Sequence, residues 1–342
     1  MATKRKENKV ALVTGATSGL GIALVNRLSI EGWEIRAVIR SKPEDNPEWR
    51  KLPLGVKPYV CDLALSDDAT IKSMREACKG VNTIFHFASV PQTGRHKLDS
   101  YINTNVIGTE NLLRAWIDAN KEEQRFVHII YASSTAVYGH HRKGEIVTEE
   151  SMTKPDGAYG ESKLMTEQVI EAFAEANKQL SYTIFRMSVI YGHGYEYSFN
   201  LVFKMLKEGR MKILGNGKNH LTLIGVDDIV DAILIALQKQ QGVNNIFNIT
   251  DGSTYTQSEL IGIAAKMLKV PTPTSKISAL VVKIMAKARG IDQAQIRFLL
   301  SDRIVSIDKA RRELGFAPKH TIEGDGAIMV KEFERNYRGI SE

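Results

Sequence analysis

The chain has 342 residues, 43% hydrophobic and 25% charged, with a formal net charge of +7 from 46 Lys and Arg against 39 Asp and Glu. That composition excludes disordered and collagenous classes, and with only Cys61 and Cys78 present it excludes a disulfide framework or a cysteine metal site. No apolar run is long enough to span a bilayer, no apolar segment follows the basic start MATKRKENK, and the basic residues are scattered beyond Lys4 to Lys6, so neither a membrane nor a nucleic-acid partner is expected.

The stretch KVALVTGATSGLG, Lys9 to Gly21, organises the rest. Val10 to Val13 form an apolar run without alternation, which predicts a strand buried on both faces. Gly15, Thr17, Ser18, Gly19, Leu20 and Gly21 make a glycine-rich turn, and Ile22, Leu24, Val25 and Leu28 recur at helical spacing. Such a turn lets a pyrophosphate reach backbone amides at a helix N-terminus, where the helix dipole favours negative charge. The glycine spacing alone describes an ordinary tight turn equally well.

Glu34 to Ile39 predicts the second strand, which ends at Arg40. In a dinucleotide fold an acidic residue here binds the free ribose hydroxyl of NAD, and a basic one accommodates the 2′-phosphate of NADP. No carboxylate ends this strand, so Arg40 points to NADP(H), with NAD(H) the alternative if Arg40 merely faces water. Val56 to Cys61 predicts the third strand. Asp62 and Leu63 stand at its end, where a carboxylate can accept from the adenine amino group or cap a helix beginning near Ser66. Asn82 to Phe87 reads as the fourth strand, followed by Ala88 and Ser89, small enough for a cofactor to pass. His86 reads as a buried histidine and Trp33, Trp49 and Trp116 as packing residues. Tyr101 to Trp116 is helical in pattern, and Arg125 to Ala132, Tyr182 to Arg186 and Phe247 to Thr250 add further strands.

Strands alternating with helices imply an α/β architecture, a Rossmann-type doubly wound parallel sheet. From Gly192 the rhythm breaks. Tyr195 to Phe199 is aromatic-rich, Phe203 to Leu206 is helical, and Ile213 to Asn219 reads as a strand and turn. The tail from Thr256 is mostly helical and includes the basic amphipathic stretch Ile277 to Ala288. The expected division is a dinucleotide-binding domain of residues 1–191 plus about 223–251, and a smaller substrate lobe of 192–222 plus about 252–342. Tyr191 and Tyr197 are candidates for the substrate pocket, although packing in the lobe accounts for them equally well. His140, His141 and Arg142 fall in a polar loop without metal spacing.

Tyr159 and Lys163 are four apart on a predicted helix and share one face. A free tyrosine is a poor base at neutral pH, but a neighbouring ammonium stabilises the phenolate. Tyr159 can then exchange a proton with a substrate hydroxyl, while Ser134, ending the neighbouring strand, holds the same oxygen for hydride transfer at the adjoining carbon. The position after the fifth strand, behind Ser133-Ser134-Thr135, makes this pattern specific.

These motifs, together with the CDL at Cys61, HFAS at His86, NVIGT at Asn105, RMSVIYG at Arg186, GVDD at Gly225 and KARRELGF at Lys309, resemble the extended short-chain dehydrogenases/reductases, the NAD-dependent epimerase/dehydratase group. The resemblance implies Ser134, Tyr159 and Lys163 as a catalytic triad, Asn105 near the active site, Val189 beside the cofactor, Thr135 beside the substrate, and a homodimer, which the lack of an apolar targeting or spanning run leads us to expect in the cytoplasm. Dehydratases of the group carry acids where this chain has Thr135 and Ala136. Nucleotide-sugar members carry an Asn and an Arg, both meeting the diphosphate, where it has Val189 and Leu221. The replacements are similar to the hydroxysteroid dehydrogenase and dihydroflavonol-type reductase branch. They favour hydride transfer between a nicotinamide and a secondary alcohol or ketone of a fairly apolar small molecule. A nucleotide-sugar 4-epimerase with tightly bound NAD is the alternative. A non-catalytic cofactor-sensing protein is the alternative of another class.

Overall fold

A computed structural model describes residues 9–92, 96–123, 125–140, 143–195, 197–288 and 293–338. Seven parallel strands form one sheet: β1 Val10–Thr14, β2 Glu34–Ile39, β3 Lys57–Val60, β4 Thr83–His86, β5 Val127–Ser134, β6 Leu180–Met187 and β7 Asn245–Ile249. Their spatial order is β3-β2-β1-β4-β5-β6-β7. The direction of winding reverses between β1 and β4, the switch point where a doubly wound sheet opens a crevice at its carboxyl ends. The Rossmann-type architecture expected from the sequence is thus the one adopted.

Alternation along each strand feeds two cores. On one face Leu12, Ile84, Ile129 and Ile184 pack with Met74 of the helix Asp68–Cys78 and Trp116 of the helix Gly108–Asn120. On the other, Val13, Phe85, Ile130 and Phe185 pack with Leu24 of the helix Gly19–Ile30 and Ile229 of the helix Val226–Gln238. β1 is buried at all five positions, as an unalternating strand in mid-sheet must be. β3 is the opposite case: Lys57, Pro58 and Val60 are exposed, and Pro58 is tolerated because an edge strand leaves one row of amides unpaired.

Several boundaries differ from expectation, while β5 ends at Ser134, where the sequence placed that serine. The helix expected near Ser66 starts at Asp68, and Asp67 caps it by accepting from the Thr70 amide at 3.0 Å, so Asp62 is not its cap. The helix expected over Tyr101 to Trp116 divides into a helical turn, Leu98–Tyr101, a π-helical stretch, Ile102–Ile107, and the helix Gly108–Asn120.

A third cluster, including Tyr191, Phe203, Ile213, Ile261, Met329 and Phe333, is built from the helices Tyr197–Lys207, Gln257–Met267 and Ile322–Arg338. Two-residue strand pairs tie the chain together here, among them Ile146–Val147 with Ile304–Val305. The amphipathic stretch forms the helix Ala279–Ala288, with Ala286 buried and Leu280 and Ile284 facing solvent. No helix among the described residues is long and apolar enough to cross a membrane.

Candidate active site

The helix Ala158–Ala176 buries an unusual face. Its inward residues include Ser162, Lys163, Thr166 and Glu167, all 3% exposed or less. Burying polar groups is costly unless each finds a partner, and here each does. The Ser162 hydroxyl donates to the Tyr159 carbonyl at 2.8 Å and accepts from Asn105 Nδ2 at 2.9 Å. Thr166 donates to the carbonyls of Ser162 and Asn105. Lys163 Nζ donates to the Ala132 carbonyl of β5 at 2.7 Å. Glu167 accepts from Arg186 Nη2 of β6 at 2.7 Å and from the Ser133 hydroxyl.

This face aligns the proposed chemistry. Lys163 Nζ lies 5.8 Å from the centre of the Tyr159 ring and 4.9 Å from that of Tyr131. Burial pushes its ammonium down to about 7, with Glu167 one turn along opposing the shift. A lysine so placed can both carry charge beside the Tyr159 phenol and exchange a proton near neutral pH. The Tyr159 ring meets Tyr101 edge-on, with centroids 6.2 Å apart. Gly160 lets the helix approach the turn after β5 closely, since a Cβ there would stand 2.6 Å from the Ala136 carbonyl oxygen. That contact sets the first turn of the Tyr159 helix against the 3₁₀ turn Thr135–Tyr138, whose cap is Ser134: its hydroxyl accepts from the Ala136 amide at 3.1 Å. Asn105, 1% exposed, holds the same helix through Ser162 and receives the Val90 amide at 2.8 Å. It sits in the π-helical stretch, a departure from regular winding that often marks a functional position.

The remaining candidates gather at the carboxyl ends of β1 to β4. The Ser18 amide closes the first turn on the Gly15 carbonyl at 2.9 Å, and the Ser18 hydroxyl caps the helix by accepting from Gly21 N at 3.1 Å. No acidic residue occupies the helix's first turn. A Cβ on Gly19 would stand 2.6 Å from the Gly194 carbonyl oxygen, so glycine at 19 lets the segment Gly192 to Tyr195 lie over the turn. The Leu20 amide donates to the Tyr195 hydroxyl at 3.3 Å. It thus already serves an oxygen arriving from outside the helix, the role a pyrophosphate oxygen would take. The donor set fits a nicotinamide dinucleotide. Thr17 is half-buried, Arg40 is exposed directly after β2, and the Asp62 carboxylate accepts from the Ala64 amide at 3.0 Å. Leu63 is buried, the Ala88 amide donates to Thr14 Oγ1 at 3.1 Å, and the Ser89 hydroxyl donates to the Val90 carbonyl.

Other candidates fall elsewhere. Thr135 is 5% exposed. Val189 is half-buried in the short strand Val189–Tyr191. Tyr191 is fully buried in the third cluster with its hydroxyl on Asp251, the packing arrangement the sequence left open. The Tyr197 side chain, like residues 4–6, 141 and 142, lies outside the described residues. His86 is a buried histidine as expected, between Thr14 and Thr109 hydroxyls, and burial pushes it down to about 3 with the Lys163 charge adding to the effect. Among the described residues no cluster of His, Cys, Asp or Glu suits a metal.

The sequence reading missed the network behind the site. Arg186 pairs with Glu167 and donates to the Tyr138 hydroxyl at 2.9 Å, which in turn donates to Asn248 Oδ1 at 2.7 Å. Burial opposes the Arg186 charge, but Glu167 outweighs it and holds the guanidinium above its ordinary value. Two signals were present: Glu167 shares the face of Lys163 at i+4, and Arg186 is a charge inside an otherwise apolar strand run.

The sequence profile of the NAD dependent epimerase/dehydratase family matches residues 11–250, and the chain belongs to that family. It is 28% identical over 264 residues to a UDP-glucose 4-epimerase of Lactobacillus helveticus, covering 70% of this chain and 73% of that one. It is 26% identical over 238 residues to the human sterol-4-alpha-carboxylate 3-dehydrogenase, decarboxylating, covering 69% and 59% respectively. In fold it resembles the UDP-glucose 4-epimerase of Thermotoga maritima, solved with UDP-glucose, at a TM-score of 0.76 and 23% identity, over 96% of this chain and 99% of that one.

Proposed function

We propose that the protein is an oxidoreductase that moves a hydride between a nicotinamide dinucleotide and a secondary alcohol or ketone of a fairly apolar small molecule. The observation that carries this is Lys163, buried, fixed to the Ala132 carbonyl and set beside the Tyr159 ring, on the helix packed against the Ser134 turn. Tyr159 exchanges the proton of the reacting oxygen, Lys163 stabilises the phenolate, and Ser134 holds that oxygen. Asn105 is a positioning residue that fixes the Tyr159 helix through Ser162. The dinucleotide supplies the hydride acceptor or donor when bound. Arg40 at the end of β2 supports NADP(H) as the favoured form. Residues 1–191 with about 223–251 would hold the dinucleotide, and 192–222 with about 252–342 would close over the substrate.

The epimerase relative supports a second reading, a nucleotide-sugar 4-epimerase that retains NAD and returns the hydride to the same substrate. Half-buried Leu221, in place of an arginine for a diphosphate, weighs against it. The deciding experiment is the identity of any nucleotide released from the purified protein, with titrations of NADPH, NADH and UDP-glucose. A protein that exchanges NADPH freely and ignores UDP-glucose is the oxidoreductase. Retained NAD with UDP-glucose binding makes it the epimerase.

A further inference from the structure

The segment that runs beside the loop joining Ser134 to Tyr159 contains a buried cation without a hydrogen-bond or ion-pair partner among the described residues. Arg303 immediately precedes the short strand Ile304–Val305, which pairs with Ile146–Val147 of that loop, and its amide donates to the His220 carbonyl at 2.8 Å. The side chain is 5% exposed, its Cζ lies 4.1 Å from the centre of the Phe298 ring, and its Nε has no hydrogen-bond partner. Among the described residues no hydrogen bond or ion pair reaches the guanidinium.

The neighbouring carboxylates are already committed. Asp156, three residues before Tyr159, accepts from Arg297 Nε at 3.4 Å and pairs with His140, while its carbonyl takes Arg297 Nη2 at 2.7 Å. Asp302 accepts from the His220 amide at 2.7 Å, from the His220 ring at 3.0 Å and from the Gly144 amide at 3.1 Å. Arg297 and two histidines therefore occupy the two carboxylates, and Arg303 is the cation left over. Burial lowers its charge affinity to about 10, with Asp156 only partly restoring it. Two residues earlier, Ser301 Oγ is also buried without a partner.

A desolvated charge without a hydrogen-bond partner is unfavourable for the fold, and an anion arriving from outside would supply that partner. We propose that Arg303 is the docking point for an anionic group, a carboxylate or a phosphate, carried by the substrate. The planar guanidinium, 4.1 Å from the centre of the Phe298 ring, can offer its fork of donors to two oxygens of one such group. This rests on the proposed reaction, with the lobe of about 252–342 that carries Arg303 closing over the substrate, and it narrows the substrate to an apolar hydroxy or oxo compound with an anionic end.

The test is thermal unfolding of the full chain and its Arg303→Gln, Arg303→Lys and Tyr159→Phe variants, titrated with inorganic phosphate and separately with acetate, with chloride as the ionic-strength control. Wild type should show a saturable rise in Tm with at least one of the two anions, and which one responds identifies phosphate or carboxylate. Arg303→Gln should bind that anion about tenfold more weakly or worse, Arg303→Lys should recover part of the loss, and Tyr159→Phe should titrate like wild type. In anion-free buffer Arg303→Gln should melt no lower than wild type. A wild type without saturable response, an Arg303→Gln variant that titrates unchanged, or one that melts lower or fails to fold would overturn the proposal and make Arg303 a structural cation. Failure of hydride transfer would leave the anion titration standing, so the two readings fall separately.

Discussion

Arg186 and Arg303 are both 5% exposed, yet they describe opposite conditions. Arg186, in the sheet, is met by Glu167 and Tyr138, and through Glu167 it is tied to Ser133 at the end of β5. Arg303, outside the sheet, meets an aromatic face, and no oxygen among the described residues bonds its Nε. In the closed interior of the sheet side Arg186 is matched by Glu167 and Lys163 is fixed to the Ala132 carbonyl, so this geometry is set before any ligand arrives. The outer side keeps a charge unmatched, and if Arg303 docks an anion its geometry is completed by what it binds.

If chemistry belongs to the closed interior, Tyr159→Phe should lower turnover by about 10²–10⁴-fold with nucleotide affinity nearly unchanged, measured by steady-state rates and a nucleotide titration. Normal turnover would remove the proton-transfer role. Opening that interior should be costly in stability. Glu167→Gln leaves Arg186 buried and unpaired, with an expected loss of about 3–5 kcal/mol in chemical denaturation. It should also deepen the downward shift of Lys163, whose charge Glu167 supports.

Acid tests the same interior more gently. His128 lies between the Ser181 and Thr183 hydroxyls, and burial pushes it down to about 4. The unfolded chain takes up this proton below about 6.5 and the folded chain only near 4, so its contribution is full above 6.5 and is lost as the pH falls through that window. His128→Gln should flatten that acid limb by about 3 kcal/mol in pH-dependent unfolding. The smallest change lies at the rim: Arg40→Asp should shift the ratio of NADPH to NADH affinity by about tenfold towards NADH, and an unmoved ratio would detach Arg40 from the cofactor.

Much of the closed side was legible in the sequence because its signals are local. β1 announced itself as an apolar run, β2 was placed from Glu34 to Ile39 as observed, and Tyr159 with Lys163 at i+4 fixed a helix face. The π-helical winding around Asn105 left no mark in residue spacing, because regular and widened turns use the same residues there. The outer side was harder to read. Its strands are two residues long, too short for any period, and they pair positions as distant as Ile146 and Ile304. Arg303 carried no signal at all: in sequence it is one of 46 basic residues, and only burial without a partner sets it apart.

The hydrogen bond from the Leu20 amide to the Tyr195 hydroxyl joins residues 175 apart. Local helices and the neighbouring β1–β2 pairing can form early, but this contact must wait until the chain has been threaded through β6 and back to the first turn. Loop-closure entropy thus predicts that it forms late in folding. Exchange of the Leu20 amide with solvent would time the final closing of the molecule, separately from the consolidation of its sheet.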